Sequence, residues 1–444
     1  MNLRRDLCNR RRYERQIDRL YQRRLLGRRT FDLKQDGVPL AAVSLHRAAV
    51  ARRLAGTVRR GLYEFAPGRV FTITTKGKDR DVYTFRLTDL VLHGVVAEII
   101  GEAVSARLSP RLFSYRRGLS WWDAVSLFAS YIRGRRRSPV ELSRRGLYVI
   151  RRDVDSYTDS IPVHPESPVW PMLKDLFSSS GRRLAPADWK IVEQVVRPEF
   201  YSKDGGLASL LRGVPTGQPV SCVLFNLYLD GLDHALDRIP GGFYARYSDD
   251  LLFAHPEAGV VQEAARTVDR TLARLGLQVK PDKSLDLYLT GAGRRSDVWP
   301  QAQGTTRVPF LGTFVFGDGT VALDRDKLRE LVRDVRARAL RTAKALKDED
   351  GEMVGRAVCA ALNKTFDPEA ALFQQKSAGL LRRAVTHRPQ LAQIDYLMAR
   401  AVLQVVAGEG SVRAFRRFPY RKIREEWGLA SLLQARNKWP RKAA

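Results

Sequence analysis

Two adjacent carboxylates, Asp249 and Asp250, stand between apolar, β-favouring runs in the stretch from Phe243 to Phe253. That pattern predicts a tight hairpin with the acids at its tip. Neighbouring aspartates repel one another, so a fold keeps the pair where a cation fills the gap, and magnesium held by carboxylates and phosphates is the usual occupant. Taken alone, the pair reads equally as a solvated turn. Upstream, Leu147 to Asp153 reads as a strand running into acids, with Asp153, Asp155 and Asp159 as candidates. Between the two acidic sites, Gly213, Pro215, Gly217 and Pro219 mark a turn opening an amphipathic helix, with apolar positions at Val220, Leu224, Leu227 and Leu232. Lys280 and Lys283 follow the hairpin, ahead of Phe310-Leu311-Gly312.

The elements that must position these residues divide the chain into four parts. Residues 1–30 carry eleven arginines with Leu and Tyr interleaved, a basic helical segment that suits either RNA or a solvated face. Residues 31–145 hold a helical stretch, a strand pair around Phe71–Thr75 and Val82–Phe85, and a helix over Thr88–Val104. Residues 146–315 carry the acids and include a Pro-rich stretch, Pro162–Pro171, that reads as loop. Residues 316–444 turn to long helices, with a stripe of Leu328, Leu331, Val332, Val335 and Ala339 among arginines. The segment from Phe415 to Lys442 mixes aromatics and cations, as stacking on nucleic acid or a docked tail would require.

Composition narrows the partners. The 444 residues suffice for two or three domains, and 77 Lys plus Arg against 48 Asp plus Glu give a net charge of +29. Such a surplus attracts polyanions by counterion release. Cys8, Cys222 and Cys359 form no CxxC pair, and the six histidines show no zinc spacing, so reduced thiols and no zinc site are expected. The best apolar run, Leu90 to Ile100, is broken by His93 and Glu98, so neither a membrane span nor a signal peptide is expected.

The order and spacing of these motifs resemble the palm of a reverse transcriptase over roughly residues 70–315. Asp153 to Ile161 looks like the first palm motif and Gly213 to Asn226 like the second. Tyr247-Ser248-Asp249-Asp250 is similar to the family's Tyr-x-Asp-Asp box, and Lys283 and Phe310-Leu311-Gly312 resemble the last two motifs. Stretches at Lys76–Tyr83, Leu87–Gly94 and Phe113–Ser120 resemble fingers motifs of bacterial and group II intron-like enzymes. The resemblance implies an α+β, right-hand polymerase fold: fingers over 31–145, palm over 146–315, and a helical thumb and basic extension over 316–444. It implies a nucleotidyltransferase, an RNA-directed DNA polymerase, using two Mg2+ ions with Mn2+ as a substitute. Asp153, Asp249 and Asp250 with the Val154 carbonyl would hold the ions, and Asp155 and Asp159 remain competing acids nearby.

Other roles follow from the same resemblance. Tyr157 would exclude a 2′-hydroxyl. Lys78 and Arg80 would hold the triphosphate, with Lys76 and Arg86 as rivals, and Lys283, with Lys280 as rival, would protonate pyrophosphate. Gly217, Gln218, Ser221 and Asn226 would shape the pocket for the incoming base and template. The sequence departs from pattern at Thr216, where many relatives have Gln; that bears on how the sugar's 3′ side is contacted and how strictly a template is followed. Features of group II intron endonucleases, retron enzymes, diversity-generating enzymes and RNase H are absent from the sequence. What remains looks like bacterial, cytoplasmic, domesticated reverse transcriptases of antiphage defence, copying a noncoding RNA template from dNTPs. A template-independent or protein-primed DNA polymerase of the same fold, and a non-catalytic, maturase-like RNA-binding protein, are the alternatives.

Overall fold

The computed structural model describes residues 3–26, 34–35, 38–75, 77–136, 146–181, 184–215, 218–365, 381 and 384–438. The chain divides into two compact units, one of Met1–Arg117, Arg152–Pro240 and Glu263–Ser284, the other of Gly118–Arg151, Gly241–Gln262 and Leu285–Ala444.

The first unit is built around the helix Leu87–Ser105, whose residues are apolar on almost every side and accordingly buried on almost every side. Against it pack the helices Arg10–Leu26 and Pro219–Tyr228. The N-terminal arginines meet acids rather than solvent alone: Arg12, Arg15 and Arg19 all reach Glu98, at 2.8, 2.5 and 2.8 Å. Burial alone would raise the Glu98 carboxyl; the Arg15, Arg19 and Arg12 guanidiniums outweigh it and hold the group below its ordinary value. A four-stranded sheet orders Lys78–Thr84, Gly68–Thr75, Glu199–Tyr201 and Leu207–Ser209. The expected strand pair is its antiparallel half, with Phe71 opposite Val82.

Two expectations for this unit need correction. The helix after the Gly/Pro turn ends at Tyr228, and Leu232 lies on the next helix, Asp230–Asp237. Leu224 to Tyr228 are all buried, so the first helix is apolar all round rather than amphipathic. The Pro-rich stretch is not loop to its end either: a helix Val169–Ser179 begins within it. Pro171 falls in its first turn, where the missing N–H has no intrahelical acceptor to lose.

In the second unit a five-stranded sheet has the order Gln303–Thr305, Leu285–Leu289, Leu147–Asp153, Asp250–His255, Phe243–Tyr247. Its middle strand is almost wholly buried, which suits the continuous apolar run Leu147–Ile150. The helix Trp121–Arg136 sets Phe128 against Phe243 and Phe310, with ring centroids 5.1 and 6.3 Å apart. A three-stranded sheet, Arg307–Phe310, Thr313–Phe316 and Val321–Leu323, precedes the helices. Of these, Arg325–Lys344 starts where the Asp324 carboxylate accepts the Lys327 N–H at 2.7 Å, and it buries Leu331, Val335 and Ala339 of the expected stripe. The C-terminal aromatics dock within the unit: Phe415 stacks on Tyr396 at 5.5 Å and Trp427 Nε1 donates to Glu352. Among the described residues no helix is long and apolar enough to cross a membrane.

Candidate active site

The acidic hairpin forms as its sequence predicts. Phe243–Tyr247 and Asp250–His255 pair antiparallel with Tyr247 opposite Asp250, which leaves Ser248 and Asp249 as the two turn residues. A two-residue hairpin turn favours positive φ, and Ser248 adopts +60°. Arg246, fully buried one strand position before Tyr247, donates from Nη1 to the Ser248 carbonyl at 3.0 Å and so fastens the turn. Asp250 is gripped by a fork: Arg151 Nε donates to Oδ1 at 2.8 Å and Nη2 to Oδ2 at 2.6 Å. Paired donors of this geometry both neutralise and orient a carboxylate.

In the first unit, Asp153 ends the strand Leu147–Asp153. Lys283 Nζ donates to its Oδ2 at 3.0 Å, so of the two lysines weighed from sequence, Lys283 meets the acid. The Lys280 N–H donates to the Asp153 carbonyl and the Asp155 N–H to Gln278, both at 2.8 Å, bridging Val154 to Val279. Pairing of this kind turns the N–H and C=O of Val154 itself to the opposite edge. Asp155 is exposed, and the Ser156 hydroxyl donates to it. Ser156 holds a positive φ of +45°, a strain of about 1–3 kcal/mol of the kind that gathers at functional turns. Gly213 lies against Asp159; a Cβ there would sit 3.1 Å from the Asp159 backbone.

Tyr157 follows, buried, its hydroxyl donating to the Phe225 carbonyl at 2.6 Å and its ring 5.5 Å from Phe225. Asn226 exchanges hydrogen bonds with Ser114, and Ser221 donates to the Pro215 carbonyl, so both brace the helix Pro219–Tyr228. Gln218 opens that helix and is bonded to His93 Nδ1 at 2.5 Å. Lys78 and Arg80 lie on the strand Lys78–Thr84, opposite Thr75 and Ile73, but their side chains lie outside the described residues, as do Thr216 and Gly217 altogether.

Sequence reasoning missed Arg151, Arg246 and His93. Two of the three stand beside the motifs they serve, as Arg151-Arg152-Asp153 and Arg246-Tyr247, so a cation next to an acid motif was the available signal. His93 had none, because its partner lies 125 residues away.

The donor set is chemically suited to magnesium: three carboxylates and one backbone carbonyl, all hard oxygen ligands. Asp153 and Asp250 each already hold a cationic side chain, which marks both as positions that draw positive charge. Among the described residues no three Asp, Glu, His or Cys side chains gather as a metal cage.

Residues 103–315 match the reverse transcriptase (RNA-dependent DNA polymerase) family. Among solved structures, a telomerase from Candida albicans in complex with a fragment of telomeric RNA is 12% identical with a TM-score of 0.43, the match covering 85% of this chain and 67% of that one. An apo telomerase from Candida tropicalis is 12% identical with a TM-score of 0.45, covering 82% and 69%. No curated protein matches the chain. Residues 103–315 are thus a reverse transcriptase domain of α+β fold, and the chain that carries it is an RNA-directed DNA polymerase, a nucleotidyltransferase.

Proposed function

We propose that this polymerase extends a primer with deoxynucleotides on an RNA template at a site composed of Asp153, Asp249 and Asp250. The observation that carries the reading is the hairpin register, which leaves Asp249 in the turn and Asp250 beside it, inside the matched domain. The three carboxylates and the Val154 carbonyl would hold two Mg2+ ions, with Mn2+ as a substitute; when bound, such ions lower the primer hydroxyl's pKa and neutralise the leaving pyrophosphate. The rest is work for this chain's own groups. Lys283, already on Asp153 at 3.0 Å, holds a proton for the leaving group. Tyr157, fixed by its bond to the Phe225 carbonyl, closes the space a 2′-hydroxyl would need. Lys78 and Arg80 bind the triphosphate, and Thr216, Gly217, Gln218 and Asn226 border the nucleotide.

The finer assignments are a dedicated noncoding RNA template, a bacterial cytoplasmic setting and a part in antiphage defence. They rest on the motif resemblance, and loss of phage protection on mutating Asp249 would support them. The deciding experiment sequences DNA and RNA recovered with the protein from cells, for wild type and an Asp249→Ala, Asp250→Ala double variant. The expected result is DNA complementary to a co-purified RNA from wild type alone. DNA that matches no RNA would make the enzyme an untemplated polymerase, and RNA without DNA from both would make it a binding scaffold.

A further inference from the structure

His93 is fully buried between Phe65 and Phe85, with ring centroids 5.6 and 5.1 Å away. Its Nδ1 lies 2.5 Å from Gln218 Oε1. An amide oxygen only accepts, so Nδ1 carries the proton. That leaves Nε2 a bare lone pair, and it has no partner. A buried acceptor left unmade is costly, and no bond to His93 other than that to Gln218 offsets it. Gln218 is itself buried and precedes the first turn of the helix Pro219–Tyr228, at extended φ and ψ of −77° and 138°. With Oε1 committed to the ring, the orientation of the amide is fixed and its NH2 is left; among the described residues that nitrogen has no acceptor.

We infer that Gln218, held by His93 acting as a positioning residue, donates its amide N–H to the sugar of the incoming nucleotide on the 3′ side. The pair thereby supplies, from the far side of Gly217, the amide that Thr216 lacks. The helix that Gln218 opens is the one whose Phe225 carbonyl fixes Tyr157, so one element would carry both sugar contacts. A purely structural His93 would need no particular partner and gains nothing from an orphaned nitrogen. The pairing instead exchanges that loss for a single amide orientation, which is what a hydrogen-bonding site needs in order to discriminate between sugars.

This inference rests on the polymerase reading, and the test separates the two. The full chain is assayed by primer extension on an RNA template with dNTPs and with dideoxynucleotides, comparing wild type with His93→Phe, His93→Gln, Gln218→Ala and His93→Phe/Gln218→Ala. Phe keeps the ring between Phe65 and Phe85 and removes the donor; Gln restores a donor. The expected result for His93→Phe and Gln218→Ala is a KM for dNTP about tenfold higher with kcat changed less, equal to about 1.4 kcal/mol. Both variants should also lose preference for dNTP over the dideoxy analogue. The double variant should be no worse than Gln218→Ala, and His93→Gln should recover most of the loss. Additive effects in the double variant, or unchanged dideoxy preference in an active His93→Phe enzyme, would overturn the pairing alone. A wild-type chain that extends no primer would overturn both readings.

Discussion

Asp250 is held by Arg151 with both carboxylate oxygens engaged, and this sets up a competition. A metal ion seeking the same oxygens must displace or share the guanidinium. Arg151→Met should therefore tighten Mg2+ binding, by about tenfold if the fork is worth about 1.4 kcal/mol. It should also lower thermal stability, since Asp250 would be left nearly buried without its counter-charge. Calorimetric titration with Mg2+ alone measures the first effect; an affinity that does not change would mean Asp250 is not a ligand. Tyr157 offers a second test at this scale. Its hydroxyl is tied to the Phe225 carbonyl, so the ring cannot swing away from a 2′-hydroxyl. Tyr157→Ala should lower the preference for deoxynucleotides over ribonucleotides by about a hundredfold, on the order of what a pocket's steric fit supplies. Incorporation kinetics with paired dNTP and NTP substrates read this directly, and an unchanged ratio would return Tyr157 to the role of a core residue.

Whole elements were legible from sequence where local pattern and local chemistry agreed. The acidic hairpin is one case, because alternating apolar residues and a two-residue turn specify register without help from distant contacts. The helix Leu87–Ser105 is another. Pattern failed where tertiary burial overrode it: Leu224–Tyr228 is apolar all round because that helix packs against Leu87–Ser105. It failed again at Pro171, where a helix-breaking residue sits in the one turn that tolerates it. Within the site, Asp153, Tyr157 and the hairpin acids could be found from spacing, whereas the His93–Gln218 bond depends on contacts that no local window contains. The C-terminal tail shows how docking is decided by one buried acid. Asp395 accepts the Leu432 N–H at 2.8 Å and the Ser431 hydroxyl at 2.7 Å, and Arg424 Nη2 stands 3.3 Å away. The carboxylate thus caps the short helix Leu432–Lys438 from another element. Asp395→Ala should destabilise this unit by about 2–4 kcal/mol, through the lost cap and an arginine left poorly paired. Thermal unfolding followed by circular dichroism checks it, and a shift within error would show that the apolar contacts of the tail suffice.

For the molecule as a whole, charge is the property that bears on its partner. The net +29 is not free to act in full, since Arg12, Arg15 and Arg19 are spent on Glu98 and Arg107 on Asp175 and Asp230. Other arginines keep their charge available: Arg329, Arg333 and Arg336 line a groove with Leu328, Val332 and Leu340 on the helix Arg325–Lys344. A surface with this surplus binds nucleic acid mainly through phosphates, and each contact displaces counterions. If about six to ten phosphates are neutralised, RNA affinity should fall by about 10³- to 10⁵-fold between roughly 50 and 200 mM salt. The slope should also be the same for RNAs of unrelated sequence, because phosphate contacts carry no sequence information. Filter binding across a salt series measures both. A shallow slope would place affinity in apolar or base-specific contacts. A slope that differs between RNAs would mean that the protein reads a particular RNA through bases and shape, and the template would then be selected at binding rather than at the primer.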